Sequence, residues 1–130
     1  MSTVEPTKFV GKLDVATCQT VETIRLFFGQ RDLVAVHTLA AAAHQVLVDV
    51  AHKRGVTSML KGSADSSLSK DREHLRNINF PFNFFKHAKS DIDEHINIVP
   101  LDRFTQDCMM DNVLMLQKLS FSLRLEAKVY

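Results

Sequence analysis

The chain has 130 residues, of which 45% are hydrophobic and 24% are charged. This composition is typical of a single globular domain and is far from the low hydrophobicity and high charge of disordered chains. The formal net charge is only +1, so the strong basic excess of many nucleic-acid-binding proteins is absent. RNA is therefore an unfavoured partner, although a possible one.

The cysteine content indicates a reducing compartment. Cys18 and Cys108 are the two cysteines, and they form no Cys-x-x-Cys pair. Both lie in apolar helical patterns, so we expect two buried free thiols, with one disulfide as the less favoured alternative. No apolar run approaches the roughly 20 residues that span a bilayer, and the first residues do not resemble a signal peptide. We predict a cytoplasmic protein without a membrane partner.

The N-terminal part predicts an extended arm followed by a helix. Residues 1–12 show no periodicity and form the predicted arm. Apolar residues then repeat at helical spacing between Asp14, a candidate N-cap, and Gly29, a candidate helix end. This segment is predicted helix 1.

The second helix has the strongest signal in the chain. Asp32 is a candidate N-cap, no glycine or proline interrupts residues 33–54, and Gly55 occupies the position of a C-terminal cap. One apolar stripe runs along the whole segment at about 100° per residue; it consists of Leu33, Val36, Ala40, Ala43, Leu47, Val50 and Ala51. Only a narrow strip is polar, so we predict that this helix is central to the domain or lies at an oligomer interface.

The middle of the chain predicts a loop and two short helices. Glycine and serine are frequent in residues 55–70, which is typical of a flexible surface loop. Ser69 is a candidate cap for a short helix that Pro81 ends. A second, aromatic helix is predicted over residues 82–90, because proline suits a first helical turn.

The last long helix is predicted to begin with Asp102 as its cap. Its expected buried face consists of Leu101, Phe104, Cys108, Met115, Leu116 and Leu119. Met110 and Leu114, spaced i,i+4, lie on the opposite side. A second apolar face predicts a homodimer interface at these two residues, the alternative being simple surface exposure.

The C-terminal segment is ambiguous. Apolar and polar residues alternate over residues 121–130, which is typical of a strand, but the residues themselves are mostly good helix formers. We favour a helix. The whole chain therefore predicts one all-α domain over residues 1–130, a bundle of four or five helices of mixed length.

Two groups of polar residues are candidates for chemistry. Asn83, His87 and Asp91 step by four residues, so on a continuous helix they share one face. His87 and Asp91 could form an acid–base pair or bind a metal, or they could simply cap helix ends. His37 and His44, seven residues apart on helix 2, form a second candidate polar cluster.

The surroundings of these groups favour structural roles. His37 and His44 flank the apolar stripe, where a histidine is usually a partly buried core residue with one hydrogen-bond partner. Asn112 lies in the apolar face of the last helix, where a buried amide usually fixes helix geometry. The sequence contains no His-Glu-x-x-His zinc motif, no phosphate loop and no dinucleotide-binding turn. We therefore predict neither a bound metal nor a cofactor.

Two strings carry a resemblance to a known group. His-Thr-Leu-Ala-Ala-Ala-Ala-His at residues 37–44 and Asn-Phe-Phe-Lys-His-Ala at residues 83–88 resemble strings of a family of small bacterial helical proteins. The resemblance covers about half of the chain. It implies a bacterial source and no established activity.

A weaker similarity is to the HEPN superfamily of helical bundles. Many HEPN proteins dimerise and act as metal-independent ribonucleases, and their motif is an arginine, a polar residue and then a histidine. Asn83 and His87 match the last two positions, whereas Phe82 occupies the position of the arginine. That arginine would stabilise phosphate charge, and its absence puts catalysis in doubt.

Taken together, the residues predict a non-catalytic module. We expect an interaction or regulatory protein that acts as a homodimer and contacts a further protein. One alternative is a HEPN-like ribonuclease or RNA-interacting module that uses Asn83 and His87. The other is a metal-dependent enzyme that uses His87 and Asp91.

Overall fold

The computed structural model describes residues 6–62 and 72–88, residues 92–120, and the backbone of residues 121–129. These residues form an all-α bundle, which confirms the predicted fold class. In the described segments, the only β-type pairing is an isolated bridge between Ser58 and Gly62. The four helices are α1 (Lys12–Phe28), α2 (Leu33–Lys53), α3 (Arg72–Lys86) and α4 (Leu101–Val129).

Helix α1 begins earlier than the sequence predicts. Its N-cap is Gly11, and Asp14 lies inside the first turn instead of capping it from outside. The carboxylate of Asp14 accepts a hydrogen bond of 3.2 Å from the Gly11 N–H, so it still satisfies a free backbone donor at the helix start. An acidic residue in the first turn also interacts favourably with the helix dipole.

Both predicted ends of α2 are confirmed. Asp32 Oδ1 accepts hydrogen bonds from the amides of Val34 and Ala35, at 2.9 and 3.2 Å. At the other end Gly55 has a φ of +70°, and the Val56 N–H donates to the carbonyl of Ala51 at 2.8 Å. This bond is typical of a Schellman motif, in which glycine adopts the left-handed conformation at low cost.

Helix α2 is the central helix of the bundle. It packs against both α1 and α4, and its predicted apolar stripe lies in these contacts. Ala40, Ala43 and Ala51 are completely buried, and their small side chains allow the neighbouring helices to approach closely. The main core combines α1, α2 and α4; its buried members are Ala16, Ala43, Leu47, Val48, Ala51, Met115 and Leu119.

The length and hydropathy of α2 correct the expectation that no segment is long and apolar enough to span a bilayer. With 21 residues and a mean hydropathy of 1.5 in its most apolar window, α2 is long and apolar enough to cross a membrane. It is the one such helix in the part of the chain that the structure describes. The central helix of a water-soluble bundle has the same properties. Two of the three histidines of α2, His37 and His44, are buried and hydrogen-bonded to α4, as expected of a core helix.

The two short helices predicted around Pro81 are one continuous helix. Helix α3 runs through Pro81 and ends at Lys86, so the prediction of a helix end at Pro81 and of a second helix reaching residue 90 is wrong. Proline has a helical φ, and its cost inside a helix is the lost hydrogen bond to the carbonyl four residues earlier. That earlier residue is Asn77, which is exposed, so water can satisfy its carbonyl.

Helix α4 starts one residue before the predicted cap and includes the ambiguous tail. Leu101 is its first residue, so Asp102 lies in the first turn. Phe104 was expected in the buried face but is exposed over 41% of its surface, because it lies at the edge facing α3. The backbone is helical as far as Val129, which confirms helix over strand for this segment.

The two cysteines have different environments. Cys108 is buried in the second apolar cluster, with Ala40 and Met109, as expected. Cys18 is exposed on α1, so the expectation that both thiols are buried is wrong. Both thiols are free.

Candidate functional site

The polar centre of the bundle is the carboxylate of Asp111 on α4. Asp111 follows Cys108 and precedes Met115 at helical spacing, so it points in the same direction as the apolar face that packs on α2. His44 of α2 faces it, and the distance from His44 Nε2 to Asp111 Oδ2 is 2.6 Å. Both side chains are almost completely buried. This contact is a charge-assisted hydrogen bond that joins the two longest helices.

The same carboxylate organises the turn that follows α2. Ser58 Oγ donates to Asp111 Oδ2 at 2.6 Å, and the amides of Met59 and Leu60 donate to its two oxygens at 2.9 and 3.4 Å. Ser58 and Gly62 close the turn through two backbone hydrogen bonds of 2.8 and 2.9 Å. We call residues 58–62 the anchored turn.

The protonation state of Asp111 follows from these bonds. Burial acts to raise its pKa, but the hydrogen bonds from His44, Ser58 and the Met59 amide outweigh burial and bring the pKa below its ordinary value. Asp111 is therefore ionised at neutral pH. A buried carboxylate with four donors is fully satisfied, and it holds α2, α4 and the anchored turn in one arrangement.

His37 lies two turns before His44 on the same helix. Its Nδ1 is 3.0 Å from Thr105 Oγ1 of α4, and its ring makes an edge-to-face contact with Phe85 of α3. Burial lowers the pKa of His37 to about 4, so the imidazole is neutral at neutral pH. Its Nε2 is buried and has no hydrogen-bond partner among the residues described. An unsatisfied buried polar atom is rare and indicates a missing partner.

A cavity of about 160 Å³ lies between α2, α3, α4 and the anchored turn. Its walls are mainly apolar, from side chains such as Ile78, Phe82 and Phe104. The polar and ionisable side chains that line it are His37, His44, Gln45, Lys61, His74, Asn79, Asp107 and Cys108. We call this space the central cavity. Six of these side chains are ionisable.

Lys61 is the basic residue of the central cavity. It is only 8% exposed, and its ammonium donates to Gln45 Oε1 at 3.1 Å. Burial lowers its pKa, although nearby carboxylates partly oppose that effect. Burial also raises the pKa of the Cys108 thiol to about 12, so this cysteine is protonated and a poor nucleophile.

The structure brings His37 and His44 together, as two lining residues of the central cavity. Each has one hydrogen-bond partner in α4, as the sequence predicts for core histidines. Asn112 is also buried, and its Nδ2 donates to the Ala40 carbonyl at 3.0 Å. This bond connects α4 to α2, in agreement with the predicted role in helix geometry.

The second predicted group lies elsewhere. Asn83 and His87 are exposed on α3 and just after its end, where they line a separate surface groove beside Phe84. Asp91 lies outside the described residues, so its predicted pairing with His87 is not part of the structure described. Within the described segments, no three His, Cys, Asp or Glu side chains are grouped as metal ligands.

The residues of the site that sequence reasoning missed include Ser58, Lys61 and Asp111. The available signal for Asp111 was an acidic residue at a position that periodicity assigns to a buried face, next to Asn112. His44, which lies on the inward-facing side of α2, is its hydrogen-bond partner. Ser58 and Lys61 gave no local signal, because they lie in a segment whose composition only predicted a loop.

Comparison with family models, with characterised proteins and with solved structures gives no match to this chain. The functional proposal therefore rests on the geometry of the central cavity.

Proposed function

We propose that this chain is a non-catalytic helical domain that binds a small, largely apolar molecule in the central cavity. The observation that supports the proposal is the buried Nε2 of His37, which lacks a partner in a residue that lines the cavity. Small-molecule sites are typically concave and mainly apolar, with a few converging polar groups. The central cavity has these properties.

The protonation states support binding rather than catalysis. The Cys108 thiol is protonated, and His44 and Asp111 are already bonded to each other. The Ser58 hydroxyl is 1% exposed and does not line the central cavity. These groups hold the fold together, and none of them is an activated nucleophile next to a free base.

The size of the cavity limits the ligand. A cavity of about 160 Å³ is close to the roughly 150 Å³ of an engineered apolar cavity that binds benzene. We therefore expect a ligand with one aromatic ring or a short aliphatic chain. The neutral His37 ring would complete its hydrogen bonding with a polar atom of that ligand.

A cavity-filling substitution tests this proposal. Ala41 lines the central cavity, so Ala41→Leu places three further carbon atoms in it. Toluene is expected to raise the melting temperature of the wild-type protein, because a ligand that binds only the folded state stabilises it. The increase should be absent in Ala41→Leu. Thermal denaturation with and without toluene measures it.

The matched control is Ala35→Leu, the same change at an exposed position of α2. Toluene should stabilise this variant as much as the wild-type protein. If neither toluene nor its charged analogue benzoate raises the wild-type melting temperature, or if Ala41→Leu responds like the wild type, the central cavity is not a binding site.

A homodimer is the second candidate function. Met110 is 57% exposed on α4, and Leu114 one turn later is partly buried. An exposed methionine beside a second apolar residue is typical of an adaptable contact surface. We propose that this surface of α4 packs against a second copy of the chain, and that the module then contacts a further protein.

Met110→Glu is expected to convert the dimer into a monomer, because two carboxylates would approach each other at a symmetric interface. Light scattering coupled to size-exclusion chromatography measures the mass. Val21→Glu, which makes a similar change at an exposed apolar position of α1, is the control and should leave the dimer intact. A wild-type protein that is monomeric at high concentration would contradict the dimer.

We also propose a cytoplasmic location and a bacterial source. The location is supported by the two free cysteines, which are typical of reducing compartments. The exposure of Asn83 and His87 keeps them available to RNA, so the HEPN-like alternative rests on those two side chains. The metal-dependent alternative rests on His87 and Asp91.

A further inference from the structure

We infer that the ligand of the central cavity is a small organic acid whose carboxylate pairs with the ammonium of Lys61. The inference rests on the proposed function, since it names the chemical class of a ligand for the same cavity. It follows from the partners of Lys61, from its unused hydrogen-bond donors, and from the apolar walls.

Lys61 is a buried cation that has no charged partner among the described residues. Its Nζ has one hydrogen bond, to the neutral amide of Gln45. Within the described residues, no carboxylate lies within ion-pair distance of it. Lysine is rarely buried unless it is paired, because desolvation of the ammonium is costly. A bound anion would supply the missing counter-charge.

The neighbouring carboxylates already have other hydrogen-bond partners. Asp111 accepts four hydrogen bonds from His44 and the anchored turn. Asp107 faces the cavity but also accepts a hydrogen bond from Arg103 at 3.3 Å, on the exposed side of α4. Asp49 is paired with Gln45, at 3.1 Å. None of these groups neutralises Lys61 by direct contact.

Lys61 has unused hydrogen-bond donors at the central cavity. The ammonium has three N–H groups, and within the described part of the chain one of them is used. The unpaired Nε2 of His37 adds a further position for a polar atom. A carboxylate supplies two acceptor oxygens and a negative charge, whereas an ammonium ligand would place a second positive charge beside Lys61.

The rest of the ligand should be apolar and compact. Ile78, Phe82 and Phe104 form walls that offer no hydrogen bonds to a sugar or a polyol. A cavity of about 160 Å³ holds approximately one ring, so a nucleotide or a peptide is too large. Benzoate combines one ring with one carboxylate and is therefore a suitable probe.

The test compares benzoate with toluene, which has the same ring without a charge. Isothermal titration calorimetry with the full chain should show that the wild-type protein binds benzoate at least about tenfold more tightly than toluene. The variant Lys61→Met keeps the length of the side chain and removes its charge. It should lose this preference for benzoate and keep its affinity for toluene.

Lys53→Met is the matched control, since Lys53 is an exposed lysine at the end of α2 and does not line the central cavity. It should keep the preference for benzoate. Lys61→Met is expected to fold, because replacing a buried charge with an apolar side chain of similar size is usually neutral or stabilising. Far-ultraviolet circular dichroism checks this.

A second measurement uses the wild-type protein alone. The pKa of Lys61 is lowered in the empty cavity, and a bound carboxylate should raise it again. Between neutral pH and the ordinary lysine pKa of 10.5, the binding of benzoate should therefore take up protons, and the binding of toluene should not. Calorimetry in buffers of different ionisation enthalpy detects this uptake.

The possible failures can be told apart. If toluene binds but benzoate is not preferred, or if Lys61→Met retains the preference, the organic-acid inference is overturned and cavity binding stands. If neither probe binds the wild-type protein, the proposed function fails and the inference fails with it.

Discussion

Replacement of Asp111 by alanine is expected to lower the free energy of unfolding by about 3–5 kcal/mol, which is the usual cost of removing one partner of a buried charged pair. The substitution leaves the buried ring of His44 and the hydroxyl of Ser58 without their acceptor. It also frees the amides of Met59 and Leu60. Urea denaturation followed by circular dichroism measures the loss.

The matched control is Asp107→Ala, one turn earlier on α4. Among the described residues, Asp107 pairs with Arg103 on the exposed side of the helix, so its loss should cost less than about 1 kcal/mol. Equal losses for the two variants would show that the hydrogen bonds of Asp111 contribute no more than a surface pair.

If Asp111→Ala does not fold, Ser58→Ala is the milder variant. It removes one donor and should cost about 1–2 kcal/mol. Hydrogen exchange should then be faster at the amides of Met59, Leu60 and Lys61, because the anchored turn loses a hydroxyl that bonds both Asp111 and the Lys61 amide. Unchanged exchange at these amides would contradict the role assigned to the turn.

The sequence could predict those parts of the fold that local signals determine. In α2 the N-cap Asp32, the uninterrupted apolar stripe and Gly55 all indicate the same helix, and the structure has its ends within one residue of the prediction. Consistent signals at several levels are the condition under which sequence reasoning works. Where one signal stood alone, as at Pro81, it was not sufficient, because a proline can lie inside a helix when the carbonyl it leaves unbonded is open to water.

The site depends on contacts that are distant in the sequence. His44 and Asp111 are separated by 67 positions, and Ser58 and Asp111 by 53. Periodicity shows that each residue faces inward, but it does not show which inward-facing residues meet. His37 and His44 were recognised because they lie on one helix with a clear register, whereas Lys61 depends on a turn that Asp111 positions.

This dependence connects stability with ligand binding. The anchored turn presents Lys61 to the central cavity, and the turn is held by the carboxylate that also joins α2 to α4. Loss of Asp111 should therefore affect the cavity through the position of Lys61, although Asp111 itself does not line it. The core hydrogen bonds and the proposed site form one structural unit.

The stability of the protein is expected to decrease by about 2–3 kcal/mol as the pH falls from 6.5 to 4, and His37 is the cause. Its pKa is lowered from 6.5 to about 4 in the folded state, so the unfolded chain takes up a proton in this range before the folded chain does. The contribution of the neutral His37 to stability is fully present above pH 6.5, and it is lost as the pH falls toward the pKa of His37 in the folded state. Asp111 adds a separate loss at lower pH, because its lowered pKa stabilises the fold above the ordinary value of 3.8.

The variant His37→Gln separates the two contributions. Glutamine can still bond Thr105 and does not titrate, so the slope between pH 6.5 and 4 should become shallower, whatever the effect on stability at neutral pH. His95→Gln, at an exposed position, is the control and should keep the wild-type slope. Urea denaturation at several pH values in this range measures both slopes. If the stability of His37→Gln and of the wild-type protein fell in parallel with pH, the buried imidazole would not be the cause of the acid sensitivity. The neutral state assigned to His37, on which the proposed role of its unpaired Nε2 in ligand binding depends, would then be unsupported.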